Sequence, residues 1–144
     1  PDGTVDVLDV VAFLDAFAKS GFDVFAGSES FLLANMKSGG AGCISATANV
    51  NPAAIDKLYR DWRKPDADLQ QEALNVVRKT VGQYVMIPAL KAVVAHYSKD
   101  PEWAIVRPPL TELTAAQAKN VIDGLRKLNF DMPGITSAAD RAAA

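Results

Sequence analysis

The alternation of helical and strand-like segments over residues 4–64 constrains the fold more than any other feature of the chain. Residues 4–19, TVDVLDVVAFLDAFAK, place Val7, Val10, Val11, Leu14 and Phe17 at helical spacing, and Ser20-Gly21 supplies a stop. FDVFA at 22–26 is short, apolar and rich in β-formers, which predicts a buried strand. ESFLLANMK at 29–37 predicts a short helix ended by Gly39-Gly40, and GCISAT at 42–47 predicts a second buried strand. Asn51 as N-cap and Pro52 as first helical residue open NPAAIDKLYRDWRK, where Ile55, Leu58, Tyr59 and Trp62 recur at i, i+3, i+4 and i+7. The order is α-β-α-β-α with short connections, which argues for parallel strands. Two strands are too few, because a buried parallel strand needs neighbours on both sides. The expectation is that a partner chain or a preceding segment supplies the others.

The second half is helical. A helix from Asp66 or Asp68 to about Tyr97 is expected, with Gly82 and Pro88 keeping it from being straight. Residues 98–110 read as a loop carrying Pro101, Pro108 and Pro109. A last helix opens on TAAQ, where Thr114 and Gln117 form a capping-box signature, and Val121, Ile122, Leu125 and Leu128 line one face. The chain begins at PDGT without a methionine and closes on TSAADRAAA, a pattern expected of a fragment or processed chain with a terminal tail.

Composition narrows the classes of function. With 144 residues, 49% of them hydrophobic and 22% charged, the chain is long enough for one core of ordinary size. A net charge of −2, with Lys and Arg scattered, gives no footprint for nucleic acid or an anionic membrane surface. No apolar run reaches the roughly 18–20 residues that a membrane span needs. Cys43 is the only cysteine and His96 the only histidine, so no intrachain disulfide, zinc cage or multi-histidine site is expected, and a reducing cytoplasm is the expected location.

In parallel α/β folds, ligands bind on the loops that leave the carboxyl ends of strands. Gly27, Ser28, Glu29 and Ser30 stand at the end of the first expected strand, and Ser45, Ala46, Thr47, Ala48 and Asn49 at the end of the second. Small residues let backbone groups approach a ligand closely. The same residues also serve simply to turn the chain and cap helices. The pattern is neither a dinucleotide fingerprint nor a P-loop.

FAGSESFLL followed by SGGAGCISATANVNP resembles the seventh and eighth strand segments of the dihydrodipicolinate synthase / N-acetylneuraminate lyase family. IPALKA and RPPLTEL are similar to that family's helical extension, so the resemblance covers residues 5–130. It implies an α/β fold: the last two strands of a (β/α)8 TIM barrel over residues 1–64, a helical C-terminal extension over 65–134 and a tail over 135–144. It also implies a Schiff-base-forming class I aldolase or lyase acting on pyruvate or a related 2-oxo acid, a homotetramer that needs no cofactor. The reactive lysine is then expected upstream of Pro1, with the remaining barrel supplied by the same or a partner chain. Matched to the family, Ile44 offers its backbone carbonyl beside the 2-oxo acid, and Gly27 lines the pocket. Ser28, Glu29 and Ser30 face the second substrate or its hydroxyls, and Ser45 and Ala46 flank the floor. YVMIPALK departs from the family's N-P-x-P-x-K segment, with Val85-Met86 in place of Asn-Pro. That leaves dehydratases and aldolases of sugar-derived 2-keto-3-deoxy acids open. A different class, a non-catalytic assembly module using the apolar faces of the C-terminal helices, also stays open.

The remaining candidates have plainer readings. Lys91 is expected as a solvated or snorkelling helix residue rather than a nucleophile. Cys43 is expected as a buried inert thiol. Arg107 is expected to pair with a carboxylate and pin its loop, and His96 to favour a helix C-terminus. Tyr59, Trp62 and Trp103 read as packing or subunit-contact residues.

Overall fold

A computed structural model of the chain describes residues 12, 15–17 and 19–135. The helix expected over residues 4–19 falls mostly outside them, as does nearly all of the tail. Ser20 and Gly21 do form the expected turn, with the Ser20 N–H on the Phe17 carbonyl and Gly21 at φ 87°. The chain divides into two compact units, residues 1–48 with 53–75 and residues 49–52 with 76–144.

In the first unit, strands β1 (Phe25–Ala26) and β2 (Gly42–Cys43) pair in parallel, with Phe25 opposite Gly42 and Ala26 opposite Cys43. Between them run a 3-10 turn (Glu29–Phe31) and helix α1 (Leu32–Lys37). Helix α2 (Pro52–Asp61) and the start of α3 (Ala67–Val81) follow. Leu32, Leu33, Met36, Ile55, Leu58, Ala67 and Leu74 form the core. Ile55 and Leu58 come from the expected face of α2, Tyr59 stays exposed, and Trp62 packs at the core's margin beneath the Arg63 guanidinium.

Both strands are shorter than expected. The regular pairing stops after two residues on each side, flanked by bonds from Ala41 N–H to the Val24 carbonyl and from Ile44 N–H to the Ala26 carbonyl. Residues 46–49, expected partly as strand, curl into a 3-10 turn. Ala26 is buried, whereas Phe22 and Phe25 are 68% and 49% exposed in this chain by itself, the side left open for the neighbouring strands that the sequence expects from elsewhere. Asn35 of α1 braces the pair: its side-chain amide donates to the Val24 carbonyl at 2.9 Å and to the Gly42 carbonyl at 2.7 Å. Gly40 is required by this brace, because a Cβ there would lie 2.1 Å from Asn35 Oδ1. Gly42, at φ 149°, holds a backbone conformation that side chains with a Cβ rarely adopt.

In the second unit, the single bent helix expected up to Tyr97 is two helices, α3 and α4 (Met86–Ser98). Gly82 ends the first, and Val85 turns extended at ψ 122° before the second begins. Pro88 causes no kink, because it sits in the first turn of α4, where a missing N–H costs nothing. Lys99 closes α4 in the left-handed conformation, and a 3-10 turn (Pro101–Ala104) follows. Helix α5 (Ala115–Lys127) opens with the expected capping box, the Thr114 and Gln117 side chains each taking the other's backbone N–H. Its Val121, Ile122 and Leu125 pack with Val50, Val81, Ala89, Leu90 and Val93. Leu128 lies past the helix end and stays partly exposed. Among the described residues, no helix is long and apolar enough to cross a membrane.

Candidate functional site

Parallel pairing has a direct geometric consequence. The carboxyl ends of β1 and β2 lie at the same edge, so Gly27–Ser30 and Ile44–Thr47 leave the strands side by side. The first of these loops is shaped by Ser28, whose hydroxyl caps the 3-10 turn by accepting from the Ser30 N–H at 3.2 Å. The second is held by the Ile44 N–H on the Ala26 carbonyl at 2.9 Å and the Ala48 N–H on the Ser45 carbonyl at 3.2 Å.

A buried polar cluster ties the two loops together. Glu29 is 1% exposed, and its two carboxylate oxygens accept from the Ser45 and Thr47 hydroxyls, one each. Those hydroxyls lie 3.1 Å apart. The Glu29 backbone carbonyl accepts from the Gln71 side-chain amide at 2.9 Å, and the Gln71 oxygen accepts from the Leu33 N–H at 2.9 Å. Helix α3 thereby clamps the turn that carries Glu29. Buried polar groups are kept when their partners are present, and this carboxylate has them.

The structure thus brings the sequence-predicted residues to one place but gives them different exposures. Gly27, Ile44 and Ala46 are exposed, Ile44 at 73%; Ser28 and Ser30 are half-buried; Glu29 and Ser45 are buried. The rim therefore presents backbone and small side chains, with the charged group behind it. The sequence places Thr47 at the strand end but gives it no role, and it gives Gln71 none either. Thr47 carries a weak signal, two positions beyond Ser45, whereas nothing local marks Gln71, which joins the cluster across 42 residues of chain.

Cys43 is half-buried rather than fully buried. Burial, then the nearby Glu29 charge, push its thiol above the ordinary value, which keeps it protonated and unreactive at neutral pH. In the second unit, burial and then the Arg126 charge pull His96 below its ordinary value, so at neutral pH it does not bring the helix-end charge expected of it. Among the described residues Arg107 has no carboxylate partner, contrary to expectation. Lys91 lies over the Trp103 ring at 5.6 Å. No group of His, Cys, Asp and Glu among the described residues is arranged to hold a metal ion.

The fold is shared with proteins of known structure. YagE, a prophage protein of the dihydrodipicolinic acid synthase family from E. coli K12 solved in complex with pyruvate, matches with a TM-score of 0.70 at 23% identity, over 84% of this chain and 44% of that one. N-acetylneuraminate lyase from Fusobacterium nucleatum matches with a TM-score of 0.72 at 17% identity, over 87% of this chain and 43% of that one. The chain belongs to the dihydrodipicolinate synthetase family, which it matches over residues 3–128. A 4-hydroxy-tetrahydrodipicolinate synthase from Lachnoclostridium phytofermentans is 28% identical over 125 residues, 83% of this chain and 41% of the relative. The chain thus spans less than half the length of these relatives.

Proposed function

We propose that this chain supplies the last two strands and the helical extension of a (β/α)8 lyase or aldolase that holds pyruvate, or a related 2-oxo acid, as the imine of a lysine. In this reading residues 1–64 are the closing βα units, 65–134 the extension and 135–144 a tail. The observation that carries it is the shared rim at the carboxyl ends of β1 and β2, where Ile44 stands 73% exposed beside Gly27. The Ile44 carbonyl and Gly27 face the compact keto acid. Ser28 and Ser30 border the second substrate and Ser45 and Ala46 flank the floor, while Glu29, expected beside the second substrate, is buried and ties Ser45 and Thr47 together behind it. Family membership supports the reaction class, and the pyruvate complex of YagE supports the substrate class.

The imine itself is the electron sink for carbon–carbon bond making and breaking. Its lysine belongs to a strand outside these residues; none of the described lysines stands at the end of β1 or β2. The complete enzyme is a cytoplasmic homotetramer. A second reading, an enzyme of sugar-derived 2-keto-3-deoxy acids, is favoured by Val85-Met86 in place of the family's Asn-Pro and by the small, hydroxyl-bearing rim. For the alternative of an assembly module, the apolar face of α5 offers no support, because it is taken up in its own unit's core.

Borohydride trapping with pyruvate, read by intact mass, tests the proposal. The chain alone gains no pyruvate adduct, whereas mixing it with a family barrel segment that carries the strand lysine yields an adduct on that segment. An adduct on any lysine of this chain overturns it.

A further inference from the structure

A cavity of about 460 Å³ opens in the second unit, lined by the first turns of α4 (Ile87, Lys91) and by the stretch from Ile105 to Leu110. That volume is in the range of small-molecule sites. Its walls combine apolar surface with two cations. Ile87 and Ile105 are 53% and 59% exposed, which is unusual for two isoleucines on one concave surface. Lys91 and Arg107 both line the same space. Among the described residues neither cation has an ion-pair partner, and no acidic side chain lines the cavity. Glu102 and Glu112 flank the stretch in sequence without joining the lining. The Lys91 ammonium instead rests over the Trp103 ring at 5.6 Å, a contact it can leave at small cost. The loop is shaped independently of any ligand, with the Leu110 N–H on the Arg107 carbonyl at 3.1 Å.

We propose that this cavity binds a small carboxylate with an apolar body, its anionic head between Lys91 and Arg107 and its tail against Ile87 and Ile105. Arg favours a carboxylate because its fork of N–H donors matches the two oxygens. The apolar lining excludes a bare, strongly hydrated anion as the preferred occupant. The site lies wholly within the second unit and does not depend on the imine chemistry proposed for the strand ends.

Hexanoate is the probe, with 1-hexanol and inorganic phosphate as controls. In a Trp62→Phe variant Trp103 is the sole tryptophan, and hexanoate changes its emission saturably as Lys91 leaves the ring. In the unaltered chain, hexanoate shifts the backbone amide resonances of Ile87, Lys91 and 105–107, which keeps the test valid if Trp62→Phe fails to fold. Arg107→Gln and Lys91→Gln each weaken hexanoate about tenfold or more, the loss expected of one charge-assisted hydrogen bond. An equal response to 1-hexanol or phosphate, an unaltered affinity in Arg107→Gln, or no saturable response overturns the proposal. The last is also the result expected if the natural occupant is an acidic side chain of another protein.

Discussion

Thr47→Val tests whether the buried cluster at the strand ends is a strut rather than an incidental contact. Valine keeps the shape of threonine and removes the hydroxyl that donates to one Glu29 oxygen. Thr47 is 0% exposed and Glu29 1%, so no water takes the vacated place without rearrangement. A hydrogen bond to a charged group contributes about 1.5–3 kcal/mol, and removing its donor gives a loss in that range. The expected loss is therefore about 2 kcal/mol. With a urea slope of about 1–2 kcal/mol/M for a unit of this size, the midpoint falls by roughly 1–2 M. Thr47→Ser keeps the donor and loses one methyl, about 1 kcal/mol. Urea denaturation followed by circular dichroism gives the totals. Amide exchange at Ile44 and Thr47 localises the loss, which matters because two compact units need not unfold together. If Thr47→Val costs no more than Thr47→Ser, or if exchange near Ile44 is unchanged, the strut is refuted.

Three further outcomes follow from the geometry. Gly40→Ala drives a methyl into Asn35, 2.1 Å away, and costs about 1–3 kcal/mol in urea titration, the range for overpacking. Thr114→Ala removes half of the capping box and lowers stability by about 1 kcal/mol, with the loss of exchange protection confined to the first turn of α5. His96 is held below its ordinary value of 6.5, so the folded state binds fewer protons than the unfolded one. The stability it contributes is fully present above pH 6.5 and declines as pH falls below it. His96→Gln flattens the slope of stability against pH in that window, and a slope unchanged by the substitution would contradict the assignment.

The sequence was most legible where one or two neighbouring residues suffice to decide. The Thr114–Gln117 box, Pro52 at a helix start and the Ser20-Gly21 stop each act on backbone within one turn of the chain, and each stands where expected. Lengths were less legible, because they depend on what lies opposite. GCISAT has strand composition, yet the run leaves the ladder after Cys43 and turns Ser45 and Thr47 toward Glu29. Gly82 and Pro88 both announced an irregular helix, but only packing decides between a bend and a break. Here Gly82 ends one helix and Pro88 sits harmlessly in the next. The clamp by Gln71 was illegible, since a polar residue on an amphipathic helix has nothing local to say which distant carbonyl it will meet.

The Asn35 amide has a further consequence for the paired strands. Two residues on each side fix register weakly, because so short a ladder loses little by sliding one position. Asn35 reaches both strands at once and acts as a gauge: a slip of one residue would take either the Val24 or the Gly42 carbonyl out of reach of its two N–H groups. The relative height of Gly27 and Ile44 on the rim is thus set from below, by one side chain on α1. A change at Asn35 would therefore be read at the rim, as a misaligned pocket.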